Sequence, residues 1–290
     1  MKNNTVLTEK QITEIKEQAN TTRKEMGVYD DVSIADDLLF FIEKKGIIVC
    51  EYPFADDVHW DANITIFDND GRQLVFIGLN SNLYYDEQIF ALAHELYHYQ
   101  TKTGLAFNKD QEEEDRITEK MADRYAAELL LPGEVLKRNL VKTFVEQNIN
   151  DVAELRMLRF VAKLQIEWWL PYRSIILRLY EEGGLSVKRR DELLQIDCRD
   201  IEGNYAKIFM SIDPEKHSLL NSKSGNISIT KSTFEVIIRN FEDGYISEDE
   251  FVKILALFGK KPFDFGFDIS ADLDDGDLKQ FFSGGKANEC

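Results

Sequence analysis

The chain has 290 residues, is 43% hydrophobic and carries a formal net charge of −18. That size supports a sizeable core and two or three domains. The charge argues against a general binder of nucleic acid or anionic membrane, which needs clustered Lys and Arg, and no apolar run approaches the ~20 residues that span a bilayer.

The first eight residues lack the apolar core of a signal peptide. Cys50, Cys198 and Cys290 form no CxxC pair and no even disulfide framework, which fits reduced thiols in the cytoplasm. Residues 8–26 read as a helix, with Thr8 as N-cap and Gln11 as its capping-box partner. Residues 31–45 read as a second helix, from Ile34, Leu38, Leu39 and Ile42 at helical spacing, ended by Gly46. A strand follows at 47–52, stopped by Pro53. Residues 62–67 and 73–79 flank Asp70-Gly71, a hairpin signal because the turn needs positive φ. A small antiparallel sheet is therefore expected ahead of residue 86.

The next helix, 86–101, holds His94-Glu-Leu-Tyr-His98. Two His four apart on a helix lie about 40° apart around the axis and roughly 6 Å apart along it, so both rings can reach one metal ion. Glu95 stands ready as a carboxylate base. Such a centre needs a third protein ligand from later in the chain. The helix at 111–131, ended by Pro132, offers one. Ala122, Ala126 and Leu130 all fall within about 60° of Glu119, so Glu119 lies on a small, apolar stripe where a carboxylate needs a partner. Asp123, Asp115 and Glu128 are the alternatives, and Asp123 also suits a hydrogen bond that orients a ligating His.

Residues 134–195 read as helical throughout. The pair 152–164 and 168–181 resembles a helix-turn-helix and carries Arg156, Arg159, Arg173 and Arg178, but a DNA reader has a stronger basic footprint, so Trp168 and Trp169 are read as core. Past 197 the expectation is mixed, with strand-like pieces at 206–211 and 226–229, then helices at 231–241 and 247–258. Ser247 and Glu250 make a capping box, and Asp243-Gly244 only mimics a calcium loop because Arg239 and Phe241 stand at its first and third positions. The tail is acidic.

His94-Glu-Leu-Tyr-His98, a loop, and Glu119-Lys-Met-Ala-Asp-Arg-Tyr-Ala-Ala-Glu-Leu-Leu-Leu-Pro132 together resemble the ImmA/IrrE metallo-endopeptidases. Members of that family show HExxH and then a helix of the form E-x-x-A-(N/D)-x-F-A-x-x-L-L-x-P; here Tyr125 replaces the Phe. The resemblance covers roughly residues 10–185. It implies a gluzincin-like, Zn²⁺-dependent peptidase in the cytoplasm, with His94, His98 and Glu119 as ligands. It also implies a protein substrate, commonly a helix-turn-helix repressor of mobile-element or stress-response genes.

The fold expected is α+β. A small antiparallel sheet packs on a zincin-like helical core (1–135), a helix-turn-helix-like segment packs on that (136–196), and a mixed α/β extension with an acidic tail follows (197–290). Glu95 is expected to move the proton. Donors to the oxyanion are expected among Tyr97 and Arg173 first, with Tyr84, Tyr85, Tyr99 and His59 in the wider pool. The rival expectation is a non-proteolytic regulator that binds metal and sequesters a repressor, or binds DNA directly. Neither membrane association nor direct nucleic-acid binding is expected.

Overall fold

The computed structural model describes residues 7–269, apart from 30, 36, 56–59, 70–71, 104–111 and 147. Helix α1 (Glu9–Glu25) opens with the Thr8/Gln11 capping box and ends in a chain reversal at Gly27, whose φ of +73° favours glycine. Helix α2 (Asp37–Lys44) starts six residues later than periodicity alone places it. Ala35 sits at φ +44°, a backbone state that no helix passes through.

Strands β1 (Ile47–Tyr52), β2 (Ala62–Asn69) and β3 (Arg72–Asn80) follow. β2 and β3 pair antiparallel from Ala62↔Leu79 to Asn69↔Arg72, so only Asp70-Gly71 separates the paired ends. That turn lies outside the described residues. The sheet is mixed, which corrects the antiparallel expectation. β3 lies beside β1 in parallel, Ile47↔Val75 through Tyr52↔Asn80, because the chain crosses over before making the hairpin. The strand order is β2-β3-β1-β4, and β4 (Ser228–Ile229) comes from far downstream to pair antiparallel with Cys50 and Glu51.

Helix α3 (Tyr85–Thr101) packs against β2 and β3 on one side and α4 (Glu112–Leu130) on the other, with α1 lying along α4. Ile89, Leu92, Ala93 and Leu96 of α3 join Ile64 and Ile77 of the sheet and Ala122, Tyr125 and Ala126 of α4 in one core. Four helices follow α4: α5 (Gly133–Phe144), α6 (Glu154–Trp168), α7 (Tyr172–Glu181) and α8 (Val187–Leu194), and α7 packs against α4, α6 and α8. Trp168 and Trp169 are both buried, as their core reading requires. Arg178 is buried as well and bonds Glu128 at 2.6 Å, so it is not available to a nucleic acid.

Residues 206–211 form no strand. They lie in α9 (Asn204–Ile212), where Tyr205, Ala206 and Phe209 are buried on one face at helical spacing. β4 is the one strand after residue 197 among the described residues, so the extension is helical rather than mixed. It continues through α10 (Pro214–Leu220), α11 (Lys231–Glu242), α12 (Glu248–Leu257) and a 3-10 turn at Pro262–Phe265. Ser247 and Glu250 do cap α12. Among the described residues no helix is long and apolar enough to cross a membrane. Most of the acidic tail lies outside the described residues.

Candidate metal centre

The centre is built between α3 and α4. The ring nitrogens of the two histidines have separate tasks. His94 Nδ1 faces Asp123 Oδ1 at 2.9 Å. His98 Nδ1 faces Thr103 Oγ1 at 3.3 Å, and that hydroxyl is itself held by Thr101 Oγ1 at 2.6 Å. With both Nδ1 atoms engaged, both Nε2 atoms turn to one point and stand 3.1 Å apart. Glu119 completes the group, its Oε2 3.2 Å from His94 Nε2 and its Oε1 3.5 Å from His98 Nε2.

One ligand atom from each of His94, His98 and Glu119 lies within 4.8 Å of the others. Two nitrogens bound at ~2.1 Å to one tetrahedral ion stand roughly 3.4 Å apart, so the observed Nε2 separation is close to what a divalent cation needs. The Glu119 side chain is 56% exposed although it lies on the stripe facing α3. The group is thus open to solvent on the α4 side, as a site that must admit a substrate requires.

Glu95 lies beside this group and is buried. Burial pushes its carboxyl up to about 7, reinforced by Glu119 and opposed by His94 and by a hydrogen bond from the Ile64 backbone N–H of β2. Burial alone would lower His94, but its bonds to Asp123 and Glu119 outweigh that and raise it to about 10. The hydrogen bond to His94 holds Glu119 below the usual carboxylate range, against its partial burial. Burial and the neighbouring His94 charge push His98 down. Asp61, at the head of β2, is raised by burial and by the charges of Glu87 and Asp123.

Of the alternative third ligands, Glu128 is committed to Arg178 and Asp115 lies outside the group. Asp123 stands behind His94, at its far nitrogen. Tyr97 is buried, with its ring 5.5 Å from that of Tyr125, and points roughly 160° round the helix from Glu95. Arg173 is exposed on α7, and among the described residues no hydrogen bond or ion pair joins it to the group. Tyr84 lies under Arg199 and Lys223, Tyr85 packs on Trp169, and Lys102 sits over the Tyr99 ring. His59 lies outside the described residues, and His217 packs edge-on to Phe209. Sequence reasoning missed Thr103 and the Ile64 backbone. Thr103 follows His98 by five residues just past a helix end, a weak signal; a backbone donor from a strand leaves none.

Two histidines and a carboxylate converging on one point, with a buried glutamate alongside, make the kind of centre that metal-dependent hydrolases use. Residues 43–154, which contain all of these side chains, match the family model of the IrrE N-terminal-like domain, Peptidase_M78, a match that supports membership of the ImmA/IrrE family. The function that goes with this family is of the metallopeptidase type. No curated protein matches the chain.

Proposed function

We propose that the protein is a zinc-dependent endopeptidase that cuts a specific DNA-binding regulator, such as a helix-turn-helix repressor, in the cytoplasm. The observation that carries this reading is the convergence of both Nε2 atoms and the Glu119 carboxylate on one point beside a buried Glu95. His94, His98 and Glu119 would hold the ion, which supplies Lewis acidity toward a carbonyl oxygen and toward water. The nitrogen-rich set and its low ligand number favour zinc over magnesium or calcium.

Glu95 takes the proton of the attacking water and delivers it to the leaving amine. Asp123 and Thr103 keep the rings in the tautomer that presents Nε2. The −18 charge suits a partner with a basic, DNA-binding surface.

The test pairs the wild type with Glu95→Gln, each loaded with zinc and incubated with DNA-binding proteins encoded near its gene. Mass spectrometry should find one internal cut made by the wild type alone, with equal zinc content in both proteins. Inactivation of a repressor by Glu95→Gln without a cut would sink the peptidase reading in favour of sequestration.

A further inference from the structure

We propose that Arg199 is a positioning residue for the peptidase site, and that the peptidase unit therefore extends past the family-matched segment to residue 229. The proposal rests on the metal-site reading above.

Asp86, in the first turn of α3, is fully buried. Its Oδ1 accepts from Arg199 Nη2 at 2.7 Å and from the Glu87 backbone N–H at 2.9 Å. Its Oδ2 accepts from Gln165 Nε2 of α6 at 2.6 Å, and Gln165 Oε1 accepts from the Tyr205 hydroxyl of α9 at 2.5 Å. Gln165 and Tyr205 are buried too. Arg199 also donates to Glu87 Oε1 at 3.1 Å and to Asn221 Oδ1 at 2.6 Å, and its guanidinium lies 4.1 Å from the centroid of the Tyr84 ring at the α3 N-cap.

The backbone repeats the attachment. The Tyr85 N–H donates to the Ser222 carbonyl at 3.0 Å and the Gly225 N–H to the Ser81 carbonyl at 3.0 Å. Ser81 Oγ donates to the Asn226 carbonyl at 2.8 Å, and two residues later β4 pairs with β1. Residues 199–229 thus run as a strap across the junction from β3 into α3, the turn that feeds the helix carrying His94, Glu95 and His98.

A buried ion pair is a poor source of stability, since apolar groups of the same shape hold a core as well or better. What a network of directed bonds supplies is one geometry. Asp86 and Glu87 fix how α3 starts and how it is rotated. Glu87 and His94 are seven residues apart, so they share a stripe with a drift of only ~20°. Rotating α3 at its start would swing both Nε2 atoms away from Glu119, which α4 holds independently.

The experiment compares full-length wild type, Arg199→Met and the double variant Asp86→Asn with Arg199→Met. Zinc affinity is read by competition with a chromophoric chelator, and stability by thermal unfolding of the metal-free proteins. Arg199→Met should lose stability and bind zinc about tenfold more weakly, the lower end of what outer partners of metal ligands contribute. The double variant removes the unpaired buried charge, so it should regain most of the stability and still bind zinc weakly. If Arg199→Met does not fold, the double variant carries the test. Zinc affinity that recovers together with stability would reduce Arg199 to charge compensation and overturn the proposal, as would wild-type affinity in both variants. Failure of the wild type to take up zinc would instead overturn the metal-site reading itself.

Discussion

Asp123 Oδ1 stands 2.9 Å from His94 Nδ1, one carboxylate oxygen bridging α4 to α3 on the far side of the ring from the nitrogen that faces Glu119. Neither residue needs this contact to fold, since the Asp123 side chain is 61% exposed. Its effect is on the ring, which is held with Nε2 directed at Glu119. Asp123→Ala should therefore leave thermal unfolding of the metal-free protein nearly unchanged while zinc affinity falls by about 10- to 100-fold. Equal affinities by chelator competition would show that His94 is oriented by something else.

Glu119→Gln should weaken zinc more than Asp123→Ala, because it removes a ligand rather than the partner of one. In the wild type, free zinc at 100 times its dissociation constant should stabilise the native state by about 2.7 kcal/mol, visible as a rise in unfolding temperature. Glu119→Gln should show little of that rise at the same zinc concentration. A full rise would mean that the third ligand lies elsewhere.

A second charged cluster, away from the candidate metal centre, sets how the protein responds to acid. Glu182 at the end of α7 is buried, which on its own would raise its carboxyl. Arg178, Lys137, Lys16 and Arg124 surround it and hold it down to about 2. A depressed folded-state value gives stability that is complete above the unfolded value near 4.5 and is lost as pH falls from there toward 2. The stake is on the order of 3 kcal/mol. Asp86 acts in the opposite sense between its ordinary value and about 6, so the comparison is made against a variant that keeps it. Denaturant titrations between pH 5 and 3 should show the wild type losing stability more steeply than Glu182→Gln. Parallel curves would remove Glu182 from the acid response.

Gly133, at the start of α5, abuts the same cluster. A Cβ there would meet Glu182 Oε1 at 2.8 Å and Arg178 Nη2 at 3.1 Å, and the Gly133 N–H donates to Glu128 Oε1 at 2.9 Å. Helix propensity favours alanine over glycine by about 1 kcal/mol, whereas displacing buried charged partners costs about 1–3 kcal/mol. Gly133→Ala should therefore lower stability in urea titrations. A gain would show that the ion cluster yields easily at this point.

The elements that could be read from the sequence were those whose signals are local. Thr8 and Gln11 announce α1, Gly46 and Pro53 bracket β1, and His94-Glu-Leu-Tyr-His98 places two rings on one helical face. The elements misread depend on distant partners or on a single backbone angle. Ala35 at φ +44° delays α2, and no pattern in the residues around it says so. Residues 206–211 have a composition suited to either strand or helix; the choice is made by Tyr205, Ala206 and Phe209 burying one face. The parallel pairing of β1 with β3 follows from a crossover that alternation along each strand does not encode. At the site, the likeness to a family and the helical stripe both pointed to Glu119, but its openness to solvent depends on how far α4 stands from α3.

Asp86 and Arg199 are 113 residues apart in the chain. During synthesis, His94, Glu95, His98 and Glu119 all emerge from the ribosome well before the guanidinium that anchors the start of their helix. A contact this distant in sequence closes late, after the local helices have formed. On the strap proposal, the site reaches its working alignment only once the chain past residue 229 has been made, and until then the nascent protein holds a metal-binding sequence without a finished blade.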